Sequence, residues 1–168
     1  LDVNQKVEYS TAMQELATRA EQGNSDAQVE LGYRHLVGNG VPKIDQLAFK
    51  WTKLAADQGL AAAQYNLARM HETGDGAFQS YKAAVYLYKL SADQGFVSAQ
   101  RNLGVMYWSG KGTMKDYVRG LTWMNIAAHF EDDESFKKSR KVLEKRLTLS
   151  EINLAQQKAQ KWIDEHIK

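Results

Sequence analysis

The sequence predicts an all-α protein: an α/α superhelical solenoid of about three helix-turn-helix repeats, closed by capping helices at both ends. Three observations predict it. A unit of 36 residues recurs in register, starting at Ala27-Gln28, Ala63-Gln64 and Ala99-Gln100. Two glycine columns, Gly38/Gly74/Gly110 and Gly40/Gly76/Gly112, divide each copy into two segments of helical length. Within the segments, Leu31/Leu67/Leu103, Trp51/Leu87/Trp123, Leu54/Leu90/Ile126 and Ala56/Ala92/Ala128 fall at helical spacing. A period of this size marks an array in which no copy buries its apolar face alone, so neighbours must stack.

The chain's 168 residues, 43% of them hydrophobic, suit one ordered domain. Its expected parts are an N-terminal cap (1–26), repeats over 27–62, 63–98 and 99–134, and C-terminal capping helices (135–168). The net charge of +2 is too balanced to imply nucleic acid. The basic excess from Phe136 onward reads as the solvated outer face of a terminal helix. With no cysteine there is neither a disulfide framework nor a thiolate metal site. No apolar run approaches the ~20 residues that span a bilayer. The chain begins at Leu1 rather than Met, which fits a processed or trimmed product.

Residues 1–10 carry little pattern. From Tyr9 to Glu21, Ala12, Met13, Leu16, Ala17 and Ala20 recur at helical spacing, and Ala20-Glu21-Gln22-Gly23 copies the later unit ends at Ala56 and Ala92. This segment reads as a second helix without its first, hence a cap. The first helix of repeat one is expected to open at Ser25 in a capping box with Gln28. Its buried stripe is Ala27, Leu31 and His35, matched by Ala63, Leu67 and His71 and by Ala99, Leu103 and Tyr107. Gly32 and Gly104 inside these helices cost ~1 kcal/mol each relative to alanine, so another helix should pass too close there for a side chain.

The Gly-x-Gly pairs stop the first helices. They lie between helices rather than between a strand and a helix, so they do not read as phosphate loops. Second helices are expected to begin at Asp45, Ser80 and Asp116, good N-cap residues, although Ile44 holds the aligned column. Their apolar faces read Ala48, Trp51, Leu54, Ala55; Ala84, Leu87, Leu90, Ser91; and Gly120, Trp123, Ile126, Ala127. Glu131 breaks the pattern. The acidic run Glu131–Glu134 then suits the positive end of a following helix, whose stripe is Phe136, Val142, Leu143 and Leu147. A last helix is expected from an N-cap Ser150, with Leu149 and Leu154 as a hydrophobic staple and Trp162 its largest apolar group.

The strings AQVELGYRHLVGNGV with AFKWTKLAADQG, AQYNLARMHETGDG with AVYLYKLSADQG, and AQRNLGVMYWSGKGT with GLTWMNIAA carry a pattern of Ala, Leu-Gly-x-x-Tyr, Gly-x-Gly, Ala-x-x-Trp and Ala-Ala-x-x-Gly. This pattern resembles the Sel-1-like repeat (SLR) family, relatives of the tetratricopeptide repeat. His35 and His71 stand in place of its tyrosine, Ala68 of its glycine and Leu87 of its tryptophan. The resemblance implies a non-enzymatic bacterial adaptor or scaffold that binds a protein or peptide. It also implies an envelope or secreted setting ahead of the cytoplasm. Some relatives with cysteine pairs are linked to β-lactam binding, which gives an alternative reading as a peptidoglycan- or β-lactam-ligand protein or weak hydrolase. This chain lacks those cysteines.

No catalytic residue, metal site or cofactor is expected. Zinc needs ligands ~2 Å from one ion, whereas His35 and His71 stand on helices roughly 8–10 Å apart. His71-Glu72 lacks a second zincin histidine, and His129 and His166 are isolated. First helices of such an array line its concave surface, and their columns off the packing stripe are Val29/Tyr65/Arg101, Glu30/Asn66/Asn102, Tyr33/Arg69/Val105 and Leu36/Glu72/Trp108. Aromatic and arginine side chains dominate binding hot spots, and asparagine pairs with peptide backbone. The expected groove is therefore Tyr33, Tyr65, Asn66, Arg69, Arg101, Asn102 and Trp108, on a monomer.

Overall fold

Nine α-helices and no strand occur among the residues described, 10–131 and 133–167, in a computed structural model of the chain. They are α1 (Thr11–Glu21), α2 (Ser25–Val37), α3 (Asp45–Asp57), α4 (Ala61–Thr73), α5 (Tyr81–Asp93), α6 (Val97–Ser109), α7 (Tyr117–Phe130), α8 (Glu134–Glu144) and α9 (Leu149–His166). The fold is an α/α solenoid. The chain divides into two compact units: Leu1–Ser80, with α1 to α4, and Tyr81–Lys168, with α5 to α9. In the first, α2 packs on α1 and α3, and α3 on α4; in the second, α6 packs on α5 and α7, and α7 on α8 and α9. The lead-in expected over 1–10 lies, apart from Ser10, outside the described residues.

The expected stripe of the first helices is the core. Ala27, Leu31, Ala63, Leu67, Ala99 and Leu103 are buried, each buried leucine contributing about 1.5–3 kcal/mol. Close approach accounts for the glycine that follows. A Cβ on Gly32 would lie 2.7 Å from Thr52 Oγ1, and one on Gly104 would lie 2.8 Å from Met124 Cγ and 3.0 Å from the Gly120 carbonyl. The opposing column is thus 52/88/124: Thr52, Tyr88 and Met124 are all buried. Sequence reading passed over it because Thr52 is polar, and placed Leu54 on the buried face instead. Leu54 is 39% exposed, since it lies two residues, about 200° of helix, from the position that meets α2.

Each first helix stops at a left-handed glycine (φ 76°, 90° and 75° at Gly38, Gly74 and Gly110). The main chain then returns: the amides of Ile44, Ser80 and Asp116 donate to the carbonyls of His35, His71 and Tyr107 at 3.1, 2.8 and 2.8 Å. This contact fixes the cap register, and it corrects the sequence at repeat one. Ile44, not Asp45, is the N-cap residue of α3, and it caps without a side chain. Asp116 caps α7 as expected, accepting from the Arg119 amide. In the second and third pairs the second glycine serves the neighbouring repeat. A Cβ on Gly76 would sit 2.1 Å from the Asp45 carbonyl oxygen, and one on Gly112 2.2 Å from that of Tyr81.

Two further caps differ from expectation. Asn24 rather than Ser25 caps α2, its side chain accepting from the Ala27 amide at 2.8 Å. Gln28 is buried and donates to the Ala20 carbonyl at 3.0 Å, so it does not reach back to the cap. Gln100 does the same with Ala92 at 3.2 Å, so in the glutamine column 28/64/100, buried throughout, Gln28 and Gln100 tie helix ends together. For α9 the N-cap is Thr148, in a capping box with Glu151. Leu149 is therefore already helical and 74% exposed, which removes the staple with Leu154. Of the acidic run, Asp133 caps α8 through the Phe136 amide, and Asp132 lies outside the described residues. Phe136 and Leu143 are buried beneath α8, while Val142 is largely exposed.

Candidate functional site

The outward columns of the first helices differ sharply in exposure, because 3.6 residues per turn carry position 33 and its equivalents furthest from the buried stripe. Tyr33, Arg69 and Val105 are exposed in every copy. The columns 29/65/101, 30/66/102 and 36/72/108 are half-buried in every copy.

In the first unit, Tyr33 is 51% exposed on α2. Beside it Arg34 pairs with Glu30 at 2.6 Å and reaches the Met13 sulfur of α1 at 3.2 Å. On α4, Arg69 is exposed, and among the described residues its guanidinium meets no carboxylate. Tyr65 and Asn66 are half-buried one turn earlier. Of the expected groove residues in this unit, Tyr33 and Arg69 are exposed and Tyr65 and Asn66 are half-buried.

In the second unit the expected residues are already engaged. Arg101 donates through Nη2 to the Glu131 carbonyl (3.1 Å) and to Asp133 Oδ2 (3.0 Å), with its guanidinium 4.1 Å from the centre of the Phe136 ring. Together with the Phe136 amide, Arg101 holds the Asp133 carboxyl below its ordinary pKa, the amide being the larger cause. Arg101 thus fastens the start of α8 to α6. Asn102 donates to the hydroxyl of the fully buried Tyr88 at 3.0 Å. Trp108 is half-buried and packs against the cluster that contains Leu121, Met124 and Leu143. Val105 is left as the exposed member of the outward columns on α6.

Two of the histidines, His35 and His71, serve the turns. His35 is fully buried, with Nδ1 3.0 Å from the Pro42 carbonyl, and burial pushes its pKa below the ordinary value of 6.5. His71 repeats the contact with the Phe78 carbonyl at 3.3 Å. His166 stacks on Trp162 at 4.2 Å. Among the described residues no group of three or more His, Cys, Asp or Glu could hold a metal ion. Nor is any described helix long and apolar enough to cross a membrane. Sequence reasoning missed a cleft in the first unit beside Phe49, His71 and Phe78; its one sequence signal was a phenylalanine just beyond a glycine turn.

Comparison with known proteins matches residues 25–60, 61–96 and 97–129 to the Sel1 repeat. Among solved structures, the chain is similar to a Sel1 repeat protein from Oxalobacter formigenes, with 33% identity and a TM-score of 0.69 over 79% of this chain and 98% of that one. It is also similar to a protective antigen present in uropathogenic Escherichia coli strains and displaying an SLR fold, with 26% identity and a TM-score of 0.69. That match covers 92% of this chain but only 41% of the antigen. A search of the curated proteins found no match.

Proposed function

Because this chain belongs to the Sel1 repeat family, whose members are generally modules for protein–protein interaction and non-catalytic scaffolds, we propose that it binds a protein or peptide along the first-helix, concave face of its solenoid. The observation that carries this reading is the exposed column Tyr33/Arg69/Val105, set beside the buried stripe Ala27, Leu31, Ala63 and Leu67. The stripe is consumed by packing and the flanking columns are half-buried, which leaves this column as the exposed one. Tyrosine and arginine are the side-chain types that concentrate binding energy at interfaces, and here both are exposed. Tyr65 and Asn66 flank them. On the equivalent helix α6, Arg101 and Asn102 are held by the α8 junction and Tyr88, and Trp108 is half-buried.

The test is a double substitution, Tyr33→Ala with Arg69→Ala, in affinity capture from the native organism followed by quantitative mass spectrometry. Captured partners should fall at least about tenfold, as expected from removing two anchors worth about 1 kcal/mol or more each, with helical circular dichroism unchanged. Full capture by the double variant would remove this face from consideration.

A further inference from the structure

The turn after α4 displays Phe78 with 97% of its surface exposed. Its backbone is held from two sides. The Phe78 carbonyl faces His71 Nδ1 at 3.3 Å, and Gly76 is pressed against the Asp45 carbonyl. Beside the ring lies a cleft of about 540 Å³ lined by Gln46, Phe49, His71, Gly74 and Phe78. Phe49 stands edge-on to His71, ring centres 5.6 Å apart at 89°. Nδ1 of His71 faces a carbonyl oxygen and so donates to it, and in the neutral ring with that tautomer Nε2 is an acceptor. The same turn position one repeat later holds Met114, 88% exposed.

We propose that this cleft docks a short peptide segment through one uncharged aromatic or branched aliphatic side chain, with Phe78 closing against it. No lining side chain is a carboxylate, ammonium or guanidinium, and the Nδ1 of His71 is turned to the Phe78 carbonyl, so a charged group entering the cleft would lose water without gaining a charged partner fixed there. The volume lies in the range of small-ligand sites, roughly 300–1,000 Å³. Covering Phe78 removes about 150–250 Å² from water, well short of the ~800 Å² that each partner of a stable protein pair buries. The area therefore suits one anchor of a short segment rather than a second copy of this chain. His71 Nε2 and the Gln46 amide, at the cleft, provide an acceptor and a donor for the segment's main chain. None of these residues belongs to the first-helix face described above, so the two readings stand or fall separately.

The test titrates N-acetyl-phenylalaninamide, N-acetyl-leucinamide, N-acetyl-alaninamide and N-acetyl-glutamic acid amide into the full ¹⁵N-labelled chain and follows amide shifts. The aromatic and leucine probes should move the amides of Phe49, His71 and 74–79, with alanine and glutamate probes weaker by about tenfold. Phe78→Ser, which alters only an exposed side chain, and Phe49→Ala should each weaken the phenylalanine probe by a similar factor. Four results would overturn the proposal: equal response to the alanine or glutamate probe, shifts centred elsewhere, binding indifferent to Phe78→Ser, or self-association in sedimentation that Phe78→Ser abolishes. The last would assign the face to a second copy.

Discussion

Arg69 on α4 and Arg101 on α6 sit on equivalent first helices, in different units, and their surroundings are opposite. Arg69 stands in solvent, and among the described residues no carboxylate pairs with it. Arg101 has a quarter of its side chain exposed, stacks on Phe136 and bonds the Glu131 and Asp133 positions. Register explains the contrast. Arg101 belongs to the column shared with Val29 and Tyr65, half-buried in each copy, whereas Arg69 belongs to the column with Tyr33 and Val105, exposed in each. In the last repeat the half-buried column meets a capping helix, and an arginine there becomes a fastener. Residue type and an outward column nominated both as binding groups; a four-residue difference in register leaves Arg69 exposed and makes Arg101 a fastener.

The largest expected effects test whether the two regions share a backbone frame. Gly76→Ala and Gly112→Ala should each destabilise by about 2–5 kcal/mol, combining a left-handed backbone with a Cβ driven into a carbonyl. Gly59→Ala, with φ +92° but open space around it, should cost only about 1–2 kcal/mol. Urea denaturation would measure all three, and equal costs would mean that the close approach to Asp45 and Tyr81 contributes nothing.

The arginines come next. Arg101→Ala should destabilise by about 1–2 kcal/mol, below the usual value for a charged hydrogen bond because Asp133 is exposed. Arg69→Ala should stay within about 0.5 kcal/mol. Equal losses would erase the distinction between fastener and free cation. Tyr88→Phe should cost about 1 kcal/mol by removing the acceptor of the Asn102 amide, and thermal melts of Tyr88→Phe alone and combined with Asn102→Ala would show whether the two are coupled.

The smallest effect is a pH dependence that should separate the units. His35 in the fold has its pKa below 6.5, so its neutral form is the one stabilised. Its contribution is complete above about pH 6.5 and is lost as pH falls from there toward the folded value. At the same column in the second unit stands Tyr107, with no imidazole to protonate. Amide exchange at pH 7 and pH 5 should therefore show protection falling around α2 and its turn more than around α6. A His35→Gln variant should flatten that difference.

Periodicity made most of the helices legible. Leu31/Leu67/Leu103 and the Gly-x-Gly columns placed six repeat helices and their turns, because a stripe every three to four residues and a left-handed stop are local properties. Cap residues were less legible. Asn24 against Ser25, Ile44 against Asp45, and Thr148 against Ser150 were decided by where the chain must turn to meet its neighbour, and each left a good capping residue just inside the helix. Of the expected groove, Tyr33 and Arg69 lie open, while Arg101 and Asn102 are held by Asp133 and Tyr88, partners 32 and 14 residues away in the chain. Sequence spacing within a single repeat carries no trace of such contacts.

What the sequence by itself determined is the repeat: its length, its buried stripe, its glycine stops and its family, all consequences of dihedral preference and apolar periodicity within 36 residues. Only the tertiary structure decided which outward side chains are free, which are fasteners, and that a turn phenylalanine borders a cleft. Those outcomes depend on elements far apart in the chain coming within a few ångströms, and distance in space is not written in any local pattern.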